Sequence, residues 1–233
     1  MRAMMKCDFI CIKSALREIT LRSVFVAVII FIGTQEVYVV VPCMCASIAI
    51  GLFFNLLSLD EQNGWQRFRL ALPFSRKDVI FGRYLSCLID DGVAMAVSYL
   101  LGLLCVGGAA LLKDAGLGIL SEEAPVLADS LELFISALAG AAITILMMAF
   151  VLPFVAKMGL TKATRLFPMV FVLLTMLFLY VARQAGALDP GFEAWMQDEM
   201  HITLAVLVLL AFSLGIYAAS AQVAKRLYAR REL

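Results

Sequence analysis

Few residues in this sequence could do chemistry, and two of them are adjacent. Asp90 and Asp91 stand inside a long apolar stretch, where an ionisable group is costly and is usually kept for proton relay or for binding a charged substrate. On a helix their side chains leave the axis about 100° apart. The reading taken here places them near a membrane interface, solvated or paired with Arg83. A proton or substrate site is the alternative. His201 and Arg183 fall at the outer edges of apolar runs, and a lone histidine carries little by itself. The six cysteines include no C-x-x-C pair and read as small, soft packing residues rather than as disulfides or metal ligands. No phosphate loop, H-E-x-x-H or G-x-S-x-G motif occurs, so no catalytic residue and no metal ligand is expected in this chain.

The other informative stretch is polar. Residues 60–85, DEQNGWQRFRLALPFSRKDVIFGRYL, form a long break between hydrophobic runs. Glu61, Trp65, Phe68 and Leu72 recur at i, i+4, i+7 and i+11, so they line one helical face, and Gln62, Gln66 and Arg69 line another. Pro73 ends that turn. Ser75-Arg76-Lys77-Asp78 follows as a capping box, in which the Ser75 hydroxyl and the Asp78 carboxylate satisfy the free amides of a new helix. The pattern predicts a short amphipathic helix, a proline break and a capped helix start. A solvated loop accounts for the charges but not for the periodicity.

These elements need a frame, and composition supplies it. The 233 residues are 63% hydrophobic and 16% charged, against about 45–50% and 25% in soluble domains. A water-soluble fold of this size could not hide so much apolar surface. The chain is therefore expected to be an all-α integral membrane protein. Residues 23–59 contain one charge, Glu36, and as a single helix would run about 55 Å against a hydrocarbon core of about 30 Å. Two spans fit, at 19–35 and 37–59, with Arg22 reaching to the interface. Further spans are expected at 76–112, at 131–156, closed by Pro153 and Lys157, at 166–183 and at 202–224.

Before them, Phe9, Ile12, Leu16 and Ile19 form an apolar stripe beside Lys6, Lys13 and Arg17. This suits an interfacial helix over 1–20 whose cations reach lipid phosphates; the cytoplasmic start of the first span is the alternative. Six spans put both termini on one side. Seventeen of the 19 Lys and Arg residues then fall on that side, leaving Lys113 and Arg183 on the other. By the positive-inside rule both termini are cytoplasmic, in a multi-pass protein of the cell membrane. The loops facing outward are acidic, with Asp114, Glu122, Glu123 and Asp129 in one and Asp189, Glu193, Asp198 and Glu199 in the other. Small residues at 136–142, and Ala211, Gly215 and Ala219 at every fourth position, permit close helix contacts. Packing within the chain is the expectation for both sets, with a subunit interface as the alternative.

Glu61-Gln62-Asn63-Gly64-Trp65, then Leu72-Pro73-Phe74-Ser75-Arg76-Lys77-Asp78 and Gly82-Arg83-Tyr84, resemble the first cytoplasmic loop of bacterial ABC-2 type transporter permeases. The motifs cover about 25 residues of this chain, while the six-helix layout covers all of it. The resemblance implies the membrane subunit of an ATP-driven exporter, paired with a like or unlike permease and served by separate ATPase subunits. It makes 1–20 an elbow helix and 60–75 a coupling helix that seats in the ATPase through Glu61, Trp65, Arg67, Phe68 and Arg69. ATP and magnesium would then belong to the partner, and no cofactor or nucleic acid to this chain. An ion-driven transporter or membrane enzyme using Asp90 and Asp91, or a non-transporting scaffold, are the competing readings.

Overall fold

The computed structural model describes residues 2–34, 37–61, 76–114, 130–159, 176 and 199–229. They form five helices: α1 (Arg2–Thr34), α2 (Val37–Glu61), α3 (Arg76–Asp114), α4 (Ser130–Met158) and α5 (Glu199–Ala229). No strand occurs among the described residues. Among the described residues, four stretches are long and apolar enough to cross a membrane, at Val37–Leu59, Asp78–Gly108, Ser130–Met158 and Met200–Tyr228. The expected fifth span, 166–183, lies outside the described residues apart from Met176.

Contacts fix the direction of each helix. Ser23 of α1 bonds Ser47 of α2 at 2.9 Å, Ile19 packs against Gly51, and Ala27 lies with Val40 and Met44. Advancing along α1 therefore means retreating along α2, and the pair is antiparallel. Between α2 and α4, Tyr38 meets Glu132 and Ser136, while Pro42 meets Gly140. Those two helices run parallel. Leu131 lies near Leu204 and Ala149 near Ser220, so α5 runs parallel to them as well. Helix α3 runs the other way, since Tyr84 meets Ser220, Asp91 meets Thr144, and Gly102 packs on Val41. Met158, the end of α4, and Glu199, the start of α5, thus lie at opposite ends of the bundle.

The chain is turned inside out relative to a soluble protein. Helix α2 is apolar all round and central, with Val41, Cys45, Ile48, Ala49 and Leu52 buried, as expected of a helix with no polar face. Ser23, Asp90, Asp91, Thr144, Ser213 and Ser220 are buried, whereas Phe25 and Ile32 are 69% and 71% exposed. Exposed apolar surface of this extent is unfavourable in water; hydrocarbon accepts it.

Several helices depart from the sequence expectation, each for a visible reason. Helix α1 is continuous, with no break between the expected elbow and first span; no glycine or proline stands between Arg2 and Ile32 to make one. Pro153 does not close α4, which continues to Met158. The stop is Gly159, at φ 82°, whose amide bonds Val155 O at 2.9 Å. That left-handed C-cap suits a residue without a Cβ.

Pro42 and Pro153 both sit inside helices, and each removes the amide that would bond the carbonyl four residues earlier. Those carbonyls belong to Tyr38 and Ala149. Ser136 of α4 donates to Tyr38 O at 2.8 Å, and Ser220 of α5 donates to Ala149 O. Each freed acceptor is filled by a hydroxyl from a neighbouring helix, a repair that lets proline persist in membrane helices.

The small residues divide by role. A Cβ on Gly140 would lie 2.8 Å from Pro42 Cα and 2.9 Å from its carbonyl oxygen, so α4 approaches α2 there backbone to backbone. Ala211, Gly215 and Ala219 are exposed instead, and a Cβ on Gly215 would meet nothing within 4 Å. Among the described residues, packing within the chain is thus found at Gly140 and not at the α5 stripe. Gly140→Ala is expected to destabilise the purified protein by about 1–3 kcal/mol through overpacking, read as a lowered melting temperature in detergent. Gly215→Ala should change it by less than about 0.5 kcal/mol.

Candidate functional site

Two polar sites stand out among the described residues. The first lies where α3, α4 and α5 meet. Residues on α3 spaced by three, four and seven put Arg83, Tyr84, Cys87, Asp90, Asp91, Ala94 and Ser98 on its inward face, and all are buried. Asp90 and Asp91 are 1% and 2% exposed, and Arg83, two turns away on the face of Asp90, is 5% exposed.

Thr144 hydrogen-bonds Asp91, and its hydroxyl also lies 2.9 Å from Ala141 O and 3.2 Å from Gly140 O. Thr144 is the middle residue of the apolar stretch Ser130–Met158, so Asp91 sits level with the middle of that stretch and not with its end. Interfacial solvation does not describe these carboxylates; the bundle surrounds them. The expectation placed them by counting from Arg76, but Asp90 lies about 18 Å along the helix from Asp78, over half the thickness of a hydrocarbon core.

Toward the end of the bundle that holds the start of α3, a tyrosine pair extends this site. The rings of Tyr84 and Tyr217 lie 4.9 Å apart, and the Tyr217 hydroxyl donates to Tyr84 O at 2.8 Å. Tyr84 and Ser220 hydroxyls are 2.9 Å apart. Ser220 has one hydrogen, and it goes to Ala149 O, so Tyr84 must be the donor to Ser220. Asp90, Asp91 and Cys87 all lie within electrostatic reach of Tyr217. Farther toward the same end, Lys225 lies 5.8 Å from the Phe81 ring centroid, a cation–π distance.

The second site is a cleft of about 840 Å³ where α2, α4 and α5 begin. Tyr38, Glu132, Ser136 and Thr203 supply polar groups to an otherwise largely aliphatic wall. The Tyr38 hydroxyl donates to Glu132. No sequence reading singled out this pair. A lone glutamate in the first turn of an apolar helix was the available signal, and it looks the same as ordinary compensation of the helix dipole.

Comparison with known proteins adds the family. A family model described as ABC-2 family transporter protein matches residues 3–229. The chain belongs to the ABC-2 transporter family. No curated protein and no solved structure matches it. It is an ABC-2 type permease and a multi-pass membrane protein, consistent with its apolar, all-helical bundle.

The structure places the other anticipated residues of the permease as follows. Glu61 is the last residue of α2, and Asp78 stands in the first turn of α3, which starts one residue after Ser75. Trp65, Arg67, Phe68, Arg69 and Ser75 lie outside the described residues. His201 is partly buried near the start of α5, away from Asp90 and Asp91. Cys45 and Cys87 are buried, Cys43 and Cys105 are exposed, and none of the four is in a disulfide.

The Thr144–Asp91 bond yields a direct test. Thr144→Val keeps the shape but leaves the buried carboxylate without its hydroxyl, and should destabilise by about 1–3 kcal/mol. Thr144→Ser should keep most of the stability, and thermal melting of the two variants compares them.

Proposed function

We propose that this chain is the membrane subunit of an ATP-driven exporter, forming the substrate path while a separate ATPase subunit hydrolyses ATP with its magnesium. Membership of the ABC-2 family over residues 3–229 is the observation that carries the reading. In it the chain is not itself an enzyme. It crosses the cell membrane six times, with both ends cytoplasmic, and pairs with a second permease, like or unlike. The opposite-ended placement of Met158 and Glu199 supports a return crossing between them, and 166–183 is the apolar stretch available for it. The antiparallel pairing of α1 with α2 supports the first two crossings.

Residues 60–75 are the coupling helix in this reading. Glu61, Trp65, Arg67, Phe68 and Arg69 seat in the ATPase, with Ser75 and Asp78 capping the helix that follows. The segment joins the end of α2 to the start of α3, so a push from the closing ATPase dimer reaches both helices together. The amphipathic first part of α1 forms the cytoplasmic start of the first crossing, since it continues that helix without a break.

One observation favours a second reading, an ion-driven transporter. Asp90 and Asp91 are buried inside the apolar bundle, and acidic residues within membrane segments commonly relay protons. In the exporter reading they hold α3 against its neighbours instead.

Co-purification separates the two. The exporter reading predicts that the tagged permease retains an ATP-hydrolysing subunit in mild detergent, and that Trp65→Ala or Arg69→Glu releases it while membrane insertion is unchanged. Transport by the purified chain alone on an ion gradient would overturn it. Asp90→Asn combined with Asp91→Asn should leave ATP-driven transport within about threefold after correction for protein amount; complete loss in a well-folded variant supports the second reading.

A further inference from the structure

From the cleft at the start of α2, α4 and α5 we infer a binding site for a cationic amphiphile: an organic ammonium carrying an alkyl body. Three features of the cleft lead there. Its volume, about 840 Å³, lies in the range of about 300–1,000 Å³ typical of small-molecule sites. Its wall is mostly aliphatic, with Leu131, Ile135, Leu204 and Leu207 among the lining residues, so it takes an apolar body. Glu132 supplies one carboxylate, and its hydrogen-bond partner among the described residues is the Tyr38 hydroxyl.

The direction of that carboxylate is decisive. A glutamate that only compensates a helix start turns back to the amides of its own first turn. Glu132 instead reaches across to α2 and meets Tyr38 at the cleft wall. Tyr38 is itself held, because its carbonyl, freed by Pro42, receives the Ser136 hydroxyl. The charge is thus fixed in position by a neutral donor, with no ion pair to it among the described residues and a largely aliphatic wall beside it. Such a carboxylate attracts a cation strongly.

The chemistry then selects the kind of cation. Calcium takes six to eight oxygen ligands, and magnesium needs a near-octahedral set; one carboxylate and the hydroxyls of Tyr38, Ser136 and Thr203 among aliphatic side chains do not offer them. An alkylammonium needs only a counter-charge and an aromatic face, which Glu132 and Tyr38 provide. Leu204 and Leu207 are 56% and 50% exposed at the cleft, so an amphiphile can enter sideways from the lipid. Export gives this site its meaning as a cargo site, and to that extent the inference rests on the permease reading; binding itself is a property of this chain.

The test uses the purified full chain in maltoside micelles, whose headgroups carry no charge. Hexadecyltrimethylammonium bearing a diazirine on its alkyl chain is photolysed with the protein, and labelled peptides are mapped by mass spectrometry. Saturable labelling within 131–139 and 200–207 is expected. Glu132→Gln should raise the half-saturating concentration about tenfold, while Tyr38→Phe, which keeps the charge, should shift it by less than about threefold. Equal labelling by hexadecyl sulfate with the same diazirine, or an unchanged saturation curve for a Glu132→Gln variant that melts like the parent, overturns the inference and leaves only a lipid-facing surface. Loss of ATPase co-purification does not alter this result, and a flat result here does not touch the ATPase prediction.

Discussion

Hydrocarbon offers a backbone carbonyl no water, and this constraint decides much of how the helices are arranged. Pro42 and Pro153 each free one carbonyl at depth, and each is answered by a serine on another helix, Ser136 on α4 and Ser220 on α5. These bonds join α2 to α4 and α4 to α5. The proline positions and the helix pairing are therefore one problem with one solution. Gly140 adds the steric half of it: with no Cβ to hold them apart, the α4 backbone closes on the α2 backbone at Pro42, near enough for Ser136 to reach Tyr38 O.

The same frame explains the polar interior. In a soluble bundle the carboxylates of Asp90 and Asp91 would face water and the leucines of α5 would face inward. Here the bundle keeps its hydrogen-bonding groups between helices, and gives Phe25, Ile32, Leu204 and Leu207 to the surroundings. Thr144 and Asp91 bond across the α3–α4 contact as the serines do across theirs. Association inside a bilayer lacks the usual gain from burying apolar area, so close packing and such bonds carry more of it.

Sequence told most about what depends on composition and period. Apolar runs located α2 to α5, because span length is set by bilayer thickness. The 60–78 pattern and its position led to the permease family. Depth was harder to read: Asp90 and Asp91 looked interfacial when counted from Arg76, yet the level of Asp91 is set by the residue of α4 it meets, Thr144. Pro153 looked like a terminator, because a sequence shows the missing amide but not the serine on α5 that replaces its service. Ala211, Gly215 and Ala219 looked like a packing stripe, since period alone does not say which face a helix turns inward. The Tyr38–Glu132 pair spans two helices 94 positions apart, and no local pattern joins them.

Ser220 accepts from Tyr84 while donating to Ala149, and so one oxygen atom fastens three helices at a single level. With Tyr217 bonded to Tyr84 O beside it, α5 cannot slide past α3 without breaking the tie to α4 as well. The lower halves of α3, α4 and α5 form a clamped wedge, whereas at their far ends α4 and α5 part around an open cleft. A force applied at the start of α3 would tilt that wedge as a unit, and the displacement would grow with distance from the clamp. The cleft lies at the end of that lever, where the same small rotation opens or narrows the most space.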